Sequence, residues 1–394
     1  MMEKLEFNGE KILKFDVDSL KGIHASINKI FNEFNLPKDK KREILLKPNL
    51  NNDMIALTGG TTDLRLIVAV IKNLQKRGYK NITIGDGPNT GMWHAGVDVF
   101  ERLRIKEIAK RFNVNYIDFN NAEYVERSIG KRRTRIAKIC YGSFFINLPK
   151  IKTHTEAIMS CCMKNLVGCN AGLNKRSVHW NLGKNIVELN QILKPDLNIV
   201  DGLIVMEGDG PSKGTPKKLN IMLAGNDSFA IDYYISNLVG IGNIRYLEHA
   251  KNVGLIHDEK MLAGDKHYLK KPGNHSVVNF FLRNYFVLPR YWNMFNWLFE
   301  LKTTGKLLTK LNIRQDIFNN SEINVKLNKT GNVDRSVDDF CPMMLKISKK
   351  GFKFDGKCIK CMYCYAVSKN IAAEGDLGFF REQERNYSKY WHNL

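Results

Sequence analysis

Apolar runs broken by polar punctuation divide the first 260 residues into short strands and helices. Residues 43–47 form an apolar run of buried-strand length stopped by Pro48-Asn49, and residues 81–85 and 114–118 read the same way. Between them, residues 64–77 carry apolar side chains at 64, 66, 67, 68, 70, 71 and 74, the wide stripe of a well-covered helix, and residues 97–112 predict another. A short alternating piece and a helix over 17–34 come first. Further along, the pattern predicts a strand over 141–148, a loop over 149–154 and helices over 156–166 and 186–193. A strand over 197–205 follows, with Asp201-Gly202 inside it or at a bulge, then a strand over 219–224 and helices over 228–238 and 246–253. This strand–loop–helix rhythm predicts an α/β fold, with a mainly parallel or mixed sheet covered by helices on both faces. A small C-terminal ferredoxin-like α+β module is expected after it, giving boundaries at 1–265, 266–320 and 321–394.

Charge narrows the partners. Lys and Arg number 61 against 40 Asp and Glu, a net +21 that favours an acidic ligand or an anionic surface, unless the surface is simply basic throughout. The N-terminal segment has neither the apolar core of a secretory signal nor the look of a transit peptide, so a cytoplasmic location is expected. The longest apolar-aromatic region, 277–299, is interrupted by Asn279, Arg283, Asn284, Pro289 and Arg290, and predicts no spanning helix.

Candidate chemistry concentrates in residues 147–179, where Lys150, Lys152, His154, Lys164, Asn165, Lys175, Arg176 and His179 alternate with short apolar pieces. That composition fits a buried scaffold presenting charge to an anionic small molecule. Lys47, Asn49 and Asp86 fall at the carboxyl ends of predicted strands, where open α/β sheets bind ligands. Gly59-Gly60-Thr61-Thr62-Asp63 precedes a helix, so it reads either as an anion-binding turn or as a plain N-cap. Glu207 and Asp232 are the most suggestive acids of the later strands.

The segments KPN at 47–49, TT at 61–62, GDGP at 85–88, NLPKIKTH at 147–154, MKNLVG at 163–168, LKPDLNIVDG at 193–202, MEGDGP at 206–211 and AGNDSFAID at 224–232 together resemble the family called domain of unknown function 362. The resemblance covers roughly residues 40–260. It implies an α/β domain that often carries ferredoxin-type iron–sulfur motifs near its C-terminus, and it singles out Lys47, Asn49, Asp86, Lys150, Lys152, His154, Lys164, Asn165, Glu207 and Asp232 without giving them roles. From residue chemistry, Lys152, His154 and Glu207 are the expected catalytic groups, with His154 the proton donor or acceptor near neutral pH. Lys47, Asn49, Thr61, Thr62, Asp86, Lys150, Lys164, Asn165 and Asp232 are the expected ligand contacts, with Asp86 and Glu207 holding a cation or hydroxyls.

Of the eight cysteines, Cys358, Cys361 and Cys364 form C-x2-C-x2-C, three ligands of a ferredoxin-type [4Fe–4S] motif. Ser368-Lys369 stand where the fourth cysteine and proline belong. In two-cluster ferredoxins the fourth ligand comes from the other run, and Cys341-Pro342 supplies that element here. The pattern predicts one [4Fe–4S] cluster on Cys341, Cys358, Cys361 and Cys364, with zinc on the same thiolates as the rival and an empty module as the third option. Residues 343–357 alternate like a two-stranded hairpin. Cys161, Cys162 and Cys169 read as small core residues.

Residues 266–320 are basic and aromatic. Residues 277–310 suit a helical layer over the α/β domain or peripheral contact with an anionic membrane. An acidic redox protein is another expected partner. No helix-turn-helix, zinc-finger or RNP-like signature supports nucleic acid. Two readings stay open: an iron–sulfur protein coupling an anionic ligand to one-electron transfer, and a non-catalytic electron-transfer or scaffolding protein docking a partner enzyme or membrane.

Overall fold

In the computed structural model the described residues are 2–94, 97–130, 132–172, 175–179, 181–257, 266–273, 324–375 and 377–394. Their strands in chain order are β1 (Met2–Phe7), β2 (Glu10–Asp16), β3 (Ile44–Pro48), β4 (Ile82–Asp86), β5 (Asn115–Asp118), β6 (Tyr124–Ile129) and β7 (Arg132–Ala137). They continue with β8 (Phe144–Leu148), β9 (Lys150–His154), β10 (Ile158–Ser160), β11 (Leu197–Glu207), β12 (Thr215–Gly225), β13 (Val325–Lys329) and β14 (Ile371–Gly375).

Ten strands form one mixed sheet, ordered β1-β2-β12-β11-β8-β3-β4-β5, with β9 on β11 and β10 on β9. The run β11-β8-β3-β4-β5 is parallel, whereas β12, β2 and β1 add on antiparallel. Every residue of β3, β4, β8 and β11 is buried, which is why these strands read as continuous apolar runs rather than as alternation. Helices Leu20–Glu33 and Leu64–Lys76 cover one face, and helices Leu182–Ile192, Ser228–Leu238 and Arg245–Asn252 cover the other. The α/β class and the two-sided helical cover are as expected, and the register shift of β11 between Gly202 and Ile204 is the bulge foreseen there.

Three local expectations fail. The helix over 156–166 is instead the tight hairpin β9–β10, with Lys152 opposite Ser160, followed by the single turn Cys162–Asn165. Lys150, Lys152 and His154 therefore share one face of a strand by its period of two. The helix over 97–112 breaks at Arg104, whose φ of 59° ends one helix before Ile105–Phe112 begins. Residues 343–357 form turns, not a hairpin, because side chains capture their main chain. Lys329 Nζ donates to Ile347 O (3.0 Å) and Lys349 O (2.9 Å), and Asp338 accepts from Ser348 N (2.9 Å).

The two strands of the C-terminal region flank that stretch: β13 pairs antiparallel with β14, Val325 opposite Gly375. Helix Gly378–Trp391 then lies against the α/β unit, with Trp391 Nε1 donating to Leu57 O (3.1 Å) and Gln383 bonding Ile55 N (2.9 Å) and Asp53 O (3.1 Å). Residues of both regions join one apolar core. The basic aromatic stretch expected at 277–310 lies outside the described residues. Among the described residues no helix is long and apolar enough to cross a membrane.

Candidate functional site

The carboxyl ends of β3 and β8 lie in register with each other and with the start of β11, so residues at equal depth form a row. Lys47 stands opposite Asn147, and Asn147 opposite Asn198. Side-chain amides continue the row. Asn147 Nδ2 donates to Asn198 Oδ1 (2.8 Å), Asn165 Nδ2 to Asn147 Oδ1 (2.8 Å), and Asn49 Nδ2 to Asn165 Oδ1 (2.9 Å). Lys152 Nζ closes the chain by donating to Asn49 Oδ1 (3.0 Å) and Gly60 O (2.6 Å). The row is dry: Lys47, Asn147, Lys150 and Asn198 are fully buried.

Two of its lysines are neutralised inside the protein. Lys47 pairs with Asp86 at 2.7 Å, whose other oxygen accepts Leu50 N (2.6 Å). Lys150 pairs with Asp201 at 2.9 Å, and Asp201 also accepts the N–H of Asp63 (2.6 Å). Gly168 is needed beside the first pair, since a Cβ there would sit 2.3 Å from Asp86 Oδ1 and 2.9 Å from Lys47 Nζ. Each Asp86 oxygen thus already holds one donor from the chain itself.

Among the described residues, Lys152 and Lys164 lack such partners. Burial, reinforced by the charges of Lys164, Lys150 and Lys47, pulls Lys152 down to about 7, and burial pulls Lys164 down to about 8. Lys175, which donates to the carbonyls of Gly87 and Pro88, is likewise lowered by burial to about 8. Burial and the neighbouring Lys164, His179 and Lys152 hold His154 well below its ordinary range. Its Nδ1 accepts the N–H of Glu156 (3.1 Å) and Ala157 (3.2 Å), which leaves the proton on Nε2. His154 is therefore neutral near pH 7 and does not titrate there as expected; Lys152 is the group poised at that pH.

Other expected contacts are placed apart from this row or are committed elsewhere. Thr61 and Thr62 donate their hydroxyls to Met54 O (2.6 Å) and Leu148 O (2.7 Å), and Asp63 caps the helix by accepting Arg65 N (2.9 Å). The glycine-threonine turn is a cap, and Gly59 is required because a Cβ would lie 2.4 Å from the main chain of Val205. Asp232 accepts the N–H groups of Cys162 (2.7 Å) and Met163 (3.1 Å), anchoring the turn that carries Lys164 and Asn165, and burial raises its carboxyl to about 6. Glu207 accepts Lys270 N (3.0 Å) at the far end of β11. Asn147, Asn198 and Asp201 were missed, although polar residues inside otherwise apolar strands are the signal that would have found them.

The C-terminal cysteines meet. Cys341, Cys358, Cys361 and Cys364 wall one narrow pocket of about 10 Å³ together with Leu345, Ile347 and Ile359. Lys360 and Met362, in the left-handed region at φ 54° and 67°, curl the C-x2-C-x2-C loop so that Lys360 N points at Cys358 Sγ (3.3 Å). Arg104 Nε holds Ile359 O (2.7 Å) and Arg111 holds Lys357 O (2.6 Å), pinning the loop from outside. Burial and the neighbouring thiols push Cys361 upward, so thiolates need a positive centre among them. Zinc at about 2.3 Å from each sulfur would draw them to about 3.8 Å from one another. Among the described residues, however, the trio of potential metal donors converging within 4.8 Å is Cys161, Cys162 and Asp232, not any of these four. In that trio Asp232 is occupied by main-chain N–H groups and burial raises both thiols, in keeping with a packing role.

The two regions touch through Tyr363, which lies between Cys361 and Cys364 in sequence. Its buried hydroxyl accepts Leu64 N (3.2 Å), next to the Asp63 cap. A second narrow pocket, of about 10 Å³, is lined by Cys361 and Tyr363 from the C-terminal region together with Thr61 and Thr62.

Residues 44–237 match the family model described as Domain of unknown function (DUF362). The chain is also similar to the thylakoid-associated protein sll1697 of Synechocystis sp. (strain ATCC 27184 / PCC 6803 / Kazusa), with 30% identity over 210 residues. That similarity covers 50% of this chain and 62% of the relative, less than two thirds of its length. The family match contains the lysine row and ends before the four cysteines.

Proposed function

We propose that this chain is an iron–sulfur protein that binds an anionic small molecule at the lysine row and holds one [4Fe–4S] cluster on Cys341, Cys358, Cys361 and Cys364. The observation that carries the reading is the meeting of four thiols, separated in sequence by up to 23 positions, around one pocket. Inward N–H groups, an apolar lining and sulfurs not drawn to zinc spacing all favour the cluster over zinc. When bound, the cluster gives or takes one electron at a time.

The protein's own residues do the rest. Among the described residues, Lys152 and Lys164 have no carboxylate at bonding distance, and a phosphate or carboxylate beside them would restore their ordinary basicity. Neutral His154 offers its Nε2 proton as a hydrogen-bond donor, and Lys152 can hold or release a proton near pH 7. Lys47, Lys150, Asn49, Asn147 and Asn165 orient these groups rather than meet the ligand.

Anaerobic reconstitution with iron and sulfide tests the cluster. About 4 iron and about 4 sulfide per chain are expected, lost in Cys361→Ala. Tight uptake of one zinc with no iron would overturn it. Thermal shifts with phosphorylated and carboxylated metabolites test the anion site; a shift kept intact in Lys164→Met would count against it.

The name of the thylakoid-associated relative favours a second reading, in which the chain works at a membrane surface from the cytoplasmic side. An acidic redox partner would suit the same surplus of positive charge. Co-sedimentation with anionic vesicles, compared with neutral ones, separates the two settings.

A further inference from the structure

A cavity of about 320 Å³, open to solvent, lies at the carboxyl ends of β4 and β5, outside the cysteine pocket. Its chemistry is the reverse of the lysine row, with rings and acceptors in place of free cations. Phe100 is buried and Tyr116 is 46% exposed, their ring centroids 5.9 Å apart, so Tyr116 offers an open face. Asn120 donates Nδ2 to Pro88 O (3.2 Å), which fixes the amide's orientation, and its Oδ1 is buried without a partner. That oxygen is closed off from the cavity, so the acceptor a ligand can reach is the carboxylate next to it.

Two residues away, Asp118 accepts Asn120 N (2.9 Å) through one oxygen, and the other meets no donor among the described residues. Lys106 is already committed to Asp98 at 2.5 Å and stands over the Tyr116 ring. With Lys106 here and Lys175 interacting with Asp118, a cationic ligand gains little, whereas neutral N–H groups can bond the carboxylate without adding charge. The position is the one where open α/β sheets bind ligands, with Asp118 beside Asp86 in register.

We propose that this pocket binds a flat nitrogen heterocycle presenting adjacent N–H donors, as guanine does, with the ring on Tyr116 and the N–H edge on the Asp118 carboxylate. Stacking supplies affinity, and the Asp118 carboxylate, an acceptor only when ionised, supplies selectivity. The site requires neither the cluster nor an anion at the lysine row, so it stands or falls separately from them.

Isothermal titration of the full chain with guanosine, inosine and adenosine tests it. Guanosine binds saturably; inosine, which lacks the exocyclic amine, binds about tenfold more weakly. Adenosine, with an acceptor at the corresponding ring nitrogen, does not bind. Tyr116→Ala weakens guanosine binding by about tenfold. Asp118→Asn weakens it further, and because Asp118 also holds Asn120 N, its melting curve is compared with that of Tyr116→Ala. No saturable guanosine binding, equal binding of all three nucleosides, or an unchanged guanosine affinity in Tyr116→Ala overturns the proposal.

Discussion

At the strand ends the lysines are buried among groups that answer most of them, whereas in the C-terminal pocket four thiols face mainly one another. Lys47 and Lys150 each have a carboxylate within 2.9 Å, and an amide chain links Lys152 to β11. These contacts would be needed to hold the sheet even if no ligand ever bound. The thiols answer no such need, since apolar residues would fill the same space with less desolvation. Burial alone thus does not identify a functional group; what matters is whether its partners lie within the chain.

The sharpest way to break this contrast is to remove one member of an internal pair. Lys47→Met leaves Asp86 charged, buried and without its counter-ion, and is expected to lower stability by about 3–5 kcal/mol in urea unfolding. Gly168→Ala would point the same way, because its Cβ has no room beside that pair. A loss below about 1 kcal/mol would mean that water reaches the pair and the row is less closed than described.

Lys152 belongs to the row yet lacks a carboxylate among the described residues, and pH exposes it. Its folded pKa of about 7 lies below the ordinary 10.5. Between those values the unfolded chain binds more protons than the folded one, so stability rises with pH across that window and is lower, and flat, below it. The wild type should gain roughly 2–4 kcal/mol from about pH 7 to pH 10 relative to Lys152→Met, measured as the difference between their unfolding curves. Parallel curves would show that Lys152 keeps its charge.

Tyr363→Phe is a smaller test, directed at the seam between the regions. The change removes the acceptor of Leu64 N and nothing else, for about 1 kcal/mol. Were the regions independent, the variant would melt like the wild type.

Much of this was legible in the sequence, for reasons that differ by region. Fully buried parallel strands leave continuous apolar runs, and a helix such as Ser228–Leu238 announces itself by the Asp227 cap and by its own apolar pattern. Residues 156–166 misled because Met159, Met163 and Leu166 recur at helical spacing, while the turn that pairs Met159 with Thr153, Thr155-Glu156-Ala157, carries no glycine, proline, asparagine or aspartate to announce a hairpin. The lysines were visible as residues but not as pairs, since Asp201 lies 51 positions from Lys150 and 138 from Asp63. The cysteine set was legible because metal-ligand spacing is local for three of its members and Cys341 was supplied by the logic of the motif.

The smallest expected change in stability belongs to the thiols, and it sharpens the comparison most. In the metal-free chain Cys361→Ser swaps one small partly exposed group for another, and about 0.5 kcal/mol is expected. The same variant should lose the reconstituted iron, because an alcohol does not replace a thiolate toward iron. A residue whose loss barely moves the unfolding midpoint but abolishes metal uptake is one whose partner lies outside the chain. Lys47→Met should do the opposite, unfolding earlier while whatever protein remains folded still takes up iron. If both variants lost stability and iron together, the pocket and the row would be one cooperative structure, and the distinction between internal and external partners would have to be drawn elsewhere, at Lys164 or at Asp118.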